Sequence, residues 1–107
     1  MSDFWTKKFK EEALPKIIEE FHPEKVILFG SRVKGKAKEE SDLDVILVAE
    51  TFREIHFLKR MPMVLRKIKF PKHVDYICYF PEEFERVKKT SSVVMDALEK
   101  GIVLVLA

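Results

Sequence analysis

Hydrophobic positions recur along this chain in two rhythms. Between residues 4 and 21, Phe4, Phe9, Leu14, Ile17, Ile18 and Phe21 return at roughly helical spacing among lysines and glutamates. That pattern predicts a helix with one apolar face. Pro15 falls inside it and predicts a kink or a restart, because proline is tolerated only in a helix's first turn. His22-Pro23 closes the element. Short apolar runs follow at 25–29, 42–48 and 72–80, rich in Val and Ile and bounded by turn residues, which predicts buried strands. Residues 31–40 predict a helical turn and then a charged loop. A second helical stretch is predicted over 52–68, with Phe52, Ile55, Leu58, Met61, Leu65 and Ile68 in phase and Pro62 kinking or dividing it. Pro81 opens another helix, with Glu82 and Glu83 in its first turn where the helix dipole favours them. It is expected to run to about Lys100 and to be capped by Gly101. The last run, IVLVL at 102–106, predicts a strand or an apolar tail packed on the sheet.

Composition narrows the class. A chain of 107 residues suits one domain spanning 1–107 with one core. Hydrophobic content of 47%, with nine phenylalanines, is that of a packed globule. Twenty basic and 18 acidic residues leave a net charge of +2. This balanced surface does not point to duplex nucleic acid as a partner. The lone cysteine, Cys78, excludes an internal disulfide and fits a reducing compartment. The charged start MSDFWTKKFKEE is not a signal peptide, and no apolar run nears the roughly 20 residues that span a bilayer. A cytoplasmic, soluble protein is expected, with no membrane association.

The chemistry concentrates between Val26 and Ala49. Asp42 and Asp44 stand at the head of a predicted buried strand. Residues i and i+2 of a strand point to one face, so the two carboxylates lie side by side while Leu43 points into packing. Such a pair is costly unless a cation or hydrogen bonds satisfy it, and it suits a hard divalent ion such as Mg2+. Before it, the first strand ends at Gly30-Ser31, a turn whose N–H groups and hydroxyl can face an anion. Arg32, Lys34 and Lys36 add positive charge, and Gly35 permits close approach. The spacing matches neither the dinucleotide glycine fingerprint nor a Walker loop. His22, His56 and His73 are scattered and predict surface or loop roles with no ligand cluster. Trp5 and the phenylalanines are spaced as core, Cys78 reads as a small buried hydrophobe, and Arg86-Val87-Lys88-Lys89 as a solvated helix face.

Gly30-Ser31, ten intervening residues and Asp42-Leu43-Asp44, with Gly35 and Ser41 in place, resemble the signature of the polymerase-beta-like nucleotidyltransferases. Within that superfamily the chain resembles the minimal nucleotidyltransferases of bacteria and archaea, also in VDYICYFPEEFE and in the stretch ending ALEKGIVL. The resemblance implies an α/β (α+β) fold: a mixed sheet of about four strands with helices mainly on one face. It implies a third carboxylate on a later strand, and Asp75 in His73-Val74-Asp75-Tyr76-Ile77 is the matching position. A plainer reading of Asp75, as a strand-end acid in a local ion pair, stays open.

The activity so implied is transfer of a nucleoside monophosphate, AMP from MgATP or its equivalent from another triphosphate, to an acceptor hydroxyl. Asp42, Asp44 and Asp75 would hold two Mg2+ ions, with Mn2+ as a substitute, and Asp75 would help deprotonate the acceptor. Gly30, Ser31, Arg32 and Ser41 would bind the nucleotide. An alternative is an antitoxin-type module that neutralises an all-helical HEPN partner with little or no catalysis. A homo-oligomer is compatible with either.

Overall fold

The computed structural model describes residues 3–30, 33 and 42–107. Its organising element is a four-stranded sheet in the order β3-β2-β1-β4. The strands are β1 (Lys25–Phe29), β2 (Leu43–Val48), β3 (Val74–Tyr79) and β4 (Ile102–Leu106). β1 runs antiparallel to both β2 and β4, and β2 runs parallel to β3. The sheet is therefore mixed, as expected, and all four apolar runs contribute a strand. The parallel step requires a crossover connection, which residues 49–73 supply.

β1 and β2 sit at the centre and are buried along nearly their whole length. Alternation assigns their side chains to two layers. Val26, Leu28, Leu43, Val45 and Leu47 face one way, with Val74, Tyr76 and Cys78 beside them. Ile27, Ile46, Val48 and Tyr79 face the other.

The larger layer is closed by the N-terminal helices and by α3. α1 (Phe4–Lys8) passes through a π-helical turn at Phe9–Ala13 into α2 (Leu14–Phe21). Phe9, Ala13, Ile17 and Phe21 present the buried stripe. The wide turn immediately precedes Leu14-Pro15, so the helix restarts with Pro15 in its first turn, where no amide is needed. His22 ends it in the left-handed region at φ 46°.

The crossover departs from the expected single helical stretch over 52–68. A 3-10 turn, Glu50–Glu54, buries Phe52, and the chain then extends through Ile55. α3 (Phe57–Lys67) begins only at His56, whose ring accepts from the Leu58 amide at 3.2 Å. The division thus falls before Pro62, which lies within an unbroken α3.

The second layer is covered by two shorter helices where one was expected. α4 (Pro81–Val87) and α5 (Ser92–Lys100) are separated at Lys88–Ser91. The Ser91 hydroxyl accepts from the Val94 amide at 3.3 Å, an N-cap that starts a new helix. Gly101 then lets the chain turn tightly from α5 into β4, because a Cβ there would overlap the carbonyls of Ala97 and Leu28.

One buried ion pair ties the crossover to the second layer. The Arg60 guanidinium donates to the Ile55 carbonyl at 2.8 Å, the Cys78 carbonyl at 3.0 Å and the Glu83 carboxylate at 2.6 Å. Glu83 also accepts from the Phe80 amide at 3.2 Å, at the start of α4. Beneath it, burial pushes the Cys78 thiol up to about 12, despite an opposing effect of Arg60. Cys78 is thus the inert hydrophobe expected of it. No helix among the described residues is long and apolar enough to cross a membrane.

Candidate active site

The antiparallel β1–β2 pair brings the C-terminal end of β1 to the N-terminal end of β2, and the parallel β2–β3 pair places the start of β3 alongside. Every candidate acid lies at this end of the sheet. Asp44 is the register partner of Asp75 on one side and of Phe29 on the other. Parallel partners present their side chains to the same face, so Asp44 and Asp75 stand next to each other. Further along that face Ile46, Val48 and Tyr79 are covered by α4 and α5. The carboxylates thus occupy the open end of a face whose other rungs are sealed.

Asp42 precedes β2 and joins them. Donor atoms of Asp42, His73 and Asp75 all lie within 4.8 Å of one another. The three acids picked from sequence are therefore brought together. Burial, then the charge of Asp75, then that of Asp42 raise the pKa of Asp44. No basic side chain pairs with Asp42 or Asp44 among the described residues. The acids are assembled against their own electrostatics, which is the condition a bound cation relieves.

Gly30 gives these carboxylates their room. Its φ of +88° lies in the left-handed region, and a Cβ built on it would overlap Oδ2 of Asp44. Gly30→Ala therefore meets two penalties, backbone strain of about 1–2 kcal/mol and displacement of Asp44. We expect denaturant melts to show at least that loss, with any phosphotransfer falling further than stability explains. Ser31, Arg32, Gly35 and Ser41, expected at the nucleotide, lie outside the described residues.

The expectation that the histidines form no ligand cluster is corrected at one position. His73 stands two residues before Asp75, so strand parity turns both to the same side. Its Nε2 lies 3.0 Å from Oδ1 of Asp75. Its carbonyl accepts from the Leu43 amide at 3.3 Å, which extends the β2–β3 ladder into the site. The signal was the H-x-D spacing at a strand head, the same parity argument that paired Asp42 with Asp44. His22 and His56 serve as helix caps, away from the carboxylates.

Among the described residues, two concavities border β3. One of about 200 Å³ lies between the Ile68–Lys72 segment and β3, with His73 on its wall. The other, about 250 Å³, lies between α3 and β3 beside Phe57, Met61 and Cys78. The three carboxylates line neither.

The nucleotidyltransferase domain family matches residues 7–104. The chain belongs to that family. At 31% identity over 99 residues it is similar to the "Probable protein adenylyltransferase MntA" of Haemophilus influenzae, with 89% of this chain and 87% of that protein covered. Its fold is also similar to the crystal structure of a Sulfolobus solfataricus protein provisionally assigned as a nucleotidyltransferase. The TM-score is 0.62 and the identity 30%, over 92% of this chain and 78% of the other. The polymerase-beta-like resemblance and the mixed four-stranded sheet expected from it are thus confirmed, with helices on both faces of the sheet where they were expected mainly on one, and the chain is a nucleotidyltransferase. A nucleotide is one of its substrates, and enzymes of the family typically depend on a metal.

Proposed function

We propose that this enzyme transfers a nucleoside monophosphate, AMP from ATP, to a hydroxyl on a partner protein. The observation that carries the reading is the convergence of Asp42, Asp44 and Asp75 on one open sheet end, with Asp44 raised by burial and by the other two acids. The donor set is oxygen-rich, and among the described residues neither Asp42 nor Asp44 has a basic partner, which fits Mg2+, or Mn2+ in its place. Asp42, Asp44 and Asp75 would hold two such ions, and Asp75 would also face the acceptor. When bound, the ions supply positive charge at the acceptor oxygen and at the leaving pyrophosphate.

The chain's own residues have defined tasks in this scheme. The acceptor oxygen attacks the α-phosphorus, and the bond from that phosphorus to the bridging oxygen of the β-phosphate breaks. Pyrophosphate leaves with the electron pair, and the acceptor proton passes to a carboxylate oxygen of Asp75. Gly30 keeps the turn clear for the triphosphate, and Ser31, Arg32 and Ser41 are assigned to hold it. The name carried by the Haemophilus relative supports a protein acceptor. The buried thiol of Cys78 is in keeping with a reducing cytoplasm.

The second reading, an antitoxin-type module that neutralises an all-helical HEPN protein with little or no catalysis, rests on the resemblance to the minimal nucleotidyltransferases. Mass spectrometry of a co-expressed partner separates the two. Transfer predicts a covalent nucleotide on the partner that is absent with Asp44→Asn, and loss of neutralisation with that variant. Full neutralisation by Asp44→Asn, with no modified partner, would favour the binding module.

A further inference from the structure

We propose that His73 is a nitrogen donor to the cation site, and that it biases the site toward transition cations of the manganese and zinc type over Mg2+. The inference rests on the proposed metal-dependent function and concerns a residue outside the three carboxylates.

Three observations support it. His73 offers a ring nitrogen within 4.8 Å of donor oxygens on both Asp42 and Asp75. Adjacent ligands of an octahedral ion with bonds of about 2.1 Å lie roughly 3 Å apart, and opposite ligands roughly 4 Å. The 3.0 Å between His73 Nε2 and Asp75 Oδ1 is therefore both a hydrogen-bond length and the edge of a coordination octahedron. The backbone of His73 is fixed by its bond from the Leu43 amide, while its side chain is 48% exposed. The half-exposed ring keeps the freedom to exchange its contact with Asp75 for one with an ion.

The chemistry then sets the preference. Mg2+ takes oxygen ligands and gives up water reluctantly, so an imidazole adds little to its binding. Imidazole suits Zn2+ and its transition-metal neighbours, and two carboxylates with one histidine leave positions open for water and phosphate oxygens. A surface hydrogen bond between His73 and Asp75, with no role toward a cation, is the competing account.

Manganese separates the accounts without any turnover. Mn2+ is titrated at pH 8 into wild type, His73→Ala, His73→Gln and Asp42→Asn, alone and with a methylene-bridged ATP analogue. Electron paramagnetic resonance reads free Mn2+ and the nitrogen modulation of the bound ion, and Mg2+ competition reads the preference. Thermal melts in EDTA establish that each variant is folded. The expected result is nitrogen modulation in wild type that disappears in both His73 variants. Mn2+ affinity should fall about tenfold or more in them, while Mg2+ affinity changes less than about threefold. Binding that requires Asp42 but shows the same spectrum and affinity in the His73 variants would overturn this inference and leave the proposed function standing. Binding indifferent to Asp42 would overturn both.

Discussion

Asp44→Asn should lower nucleotidyl transfer by roughly 10³-fold or more, about 4 kcal/mol of transition-state stabilisation, while leaving the metal-free protein at least as stable as wild type. The two halves follow from one geometry. Asp44 stands between Phe29 and Asp75 in register and is pressed upon by burial and by two other acids. An amide in its place removes a ligand charge and also removes the repulsion. The sign with pH follows. A carboxylate whose folded pKa is raised costs stability when ionised, and that cost fades as pH falls through the raised value toward the ordinary 3.8. In EDTA the wild type should therefore gain on the variant on acidification. With Mg2+ and a non-hydrolysable ATP analogue at neutral pH the order should reverse. A ligand at 100 times its Kd adds about 2.7 kcal/mol to the protein that binds it. A variant melting well below wild type in EDTA would show instead that Asp44 has a structural partner.

The largest loss of stability is expected at Arg60, about 3–5 kcal/mol for Arg60→Ala. Its guanidinium is almost wholly buried and serves two carbonyls and Glu83, joining α3 to β3 and to the start of α4. Truncation strands the Glu83 carboxylate and the carbonyls of Ile55 and Cys78 together. It also removes the cation from above the rings of Phe57 and Phe80. Urea melts of Arg60→Ala, Glu83→Gln and the double variant measure this coupling. A double variant as unstable as the sum of the singles would mean the two residues act independently.

The central strands β1 and β2 were legible because burial writes itself into sequence as unbroken Val, Ile and Leu, although β4 has the same composition and is largely exposed, and parity then placed Asp42 and Asp44 on one side without a structure. The position of Asp75 came from resemblance, since its strand alternates less cleanly and its register opposite Asp44 depends on a long crossover. Helix breaks were harder to read. Apolar phase carries straight through Lys88–Ser91, and only the N-cap at Ser91 marks the division into α4 and α5. The extended link at Ile55 was hidden likewise, because Ile55 is in phase with α3 although it lies outside it. His73 was passed over because its sequence neighbours, Lys72 and Val74, lack any ligand chemistry. Asp75 is already beside it in the H-x-D spacing, but Asp42 meets it only once β2 and β3 are paired.

In the proposed transfer the bond broken lies between the α-phosphorus and the oxygen bridging to the β-phosphate, and paired isotopic labelling distinguishes it from cleavage at the γ-phosphate. The protein, with a co-expressed partner and Mn2+ or Mg2+, is given ATP labelled at the α-phosphorus or, separately, at the γ-phosphorus. The α label should become covalently attached to protein and the γ label should appear only in pyrophosphate, with neither event in Asp44→Asn. Attachment of the γ label, or its release as free phosphate with the α label left in a diphosphate, would contradict it.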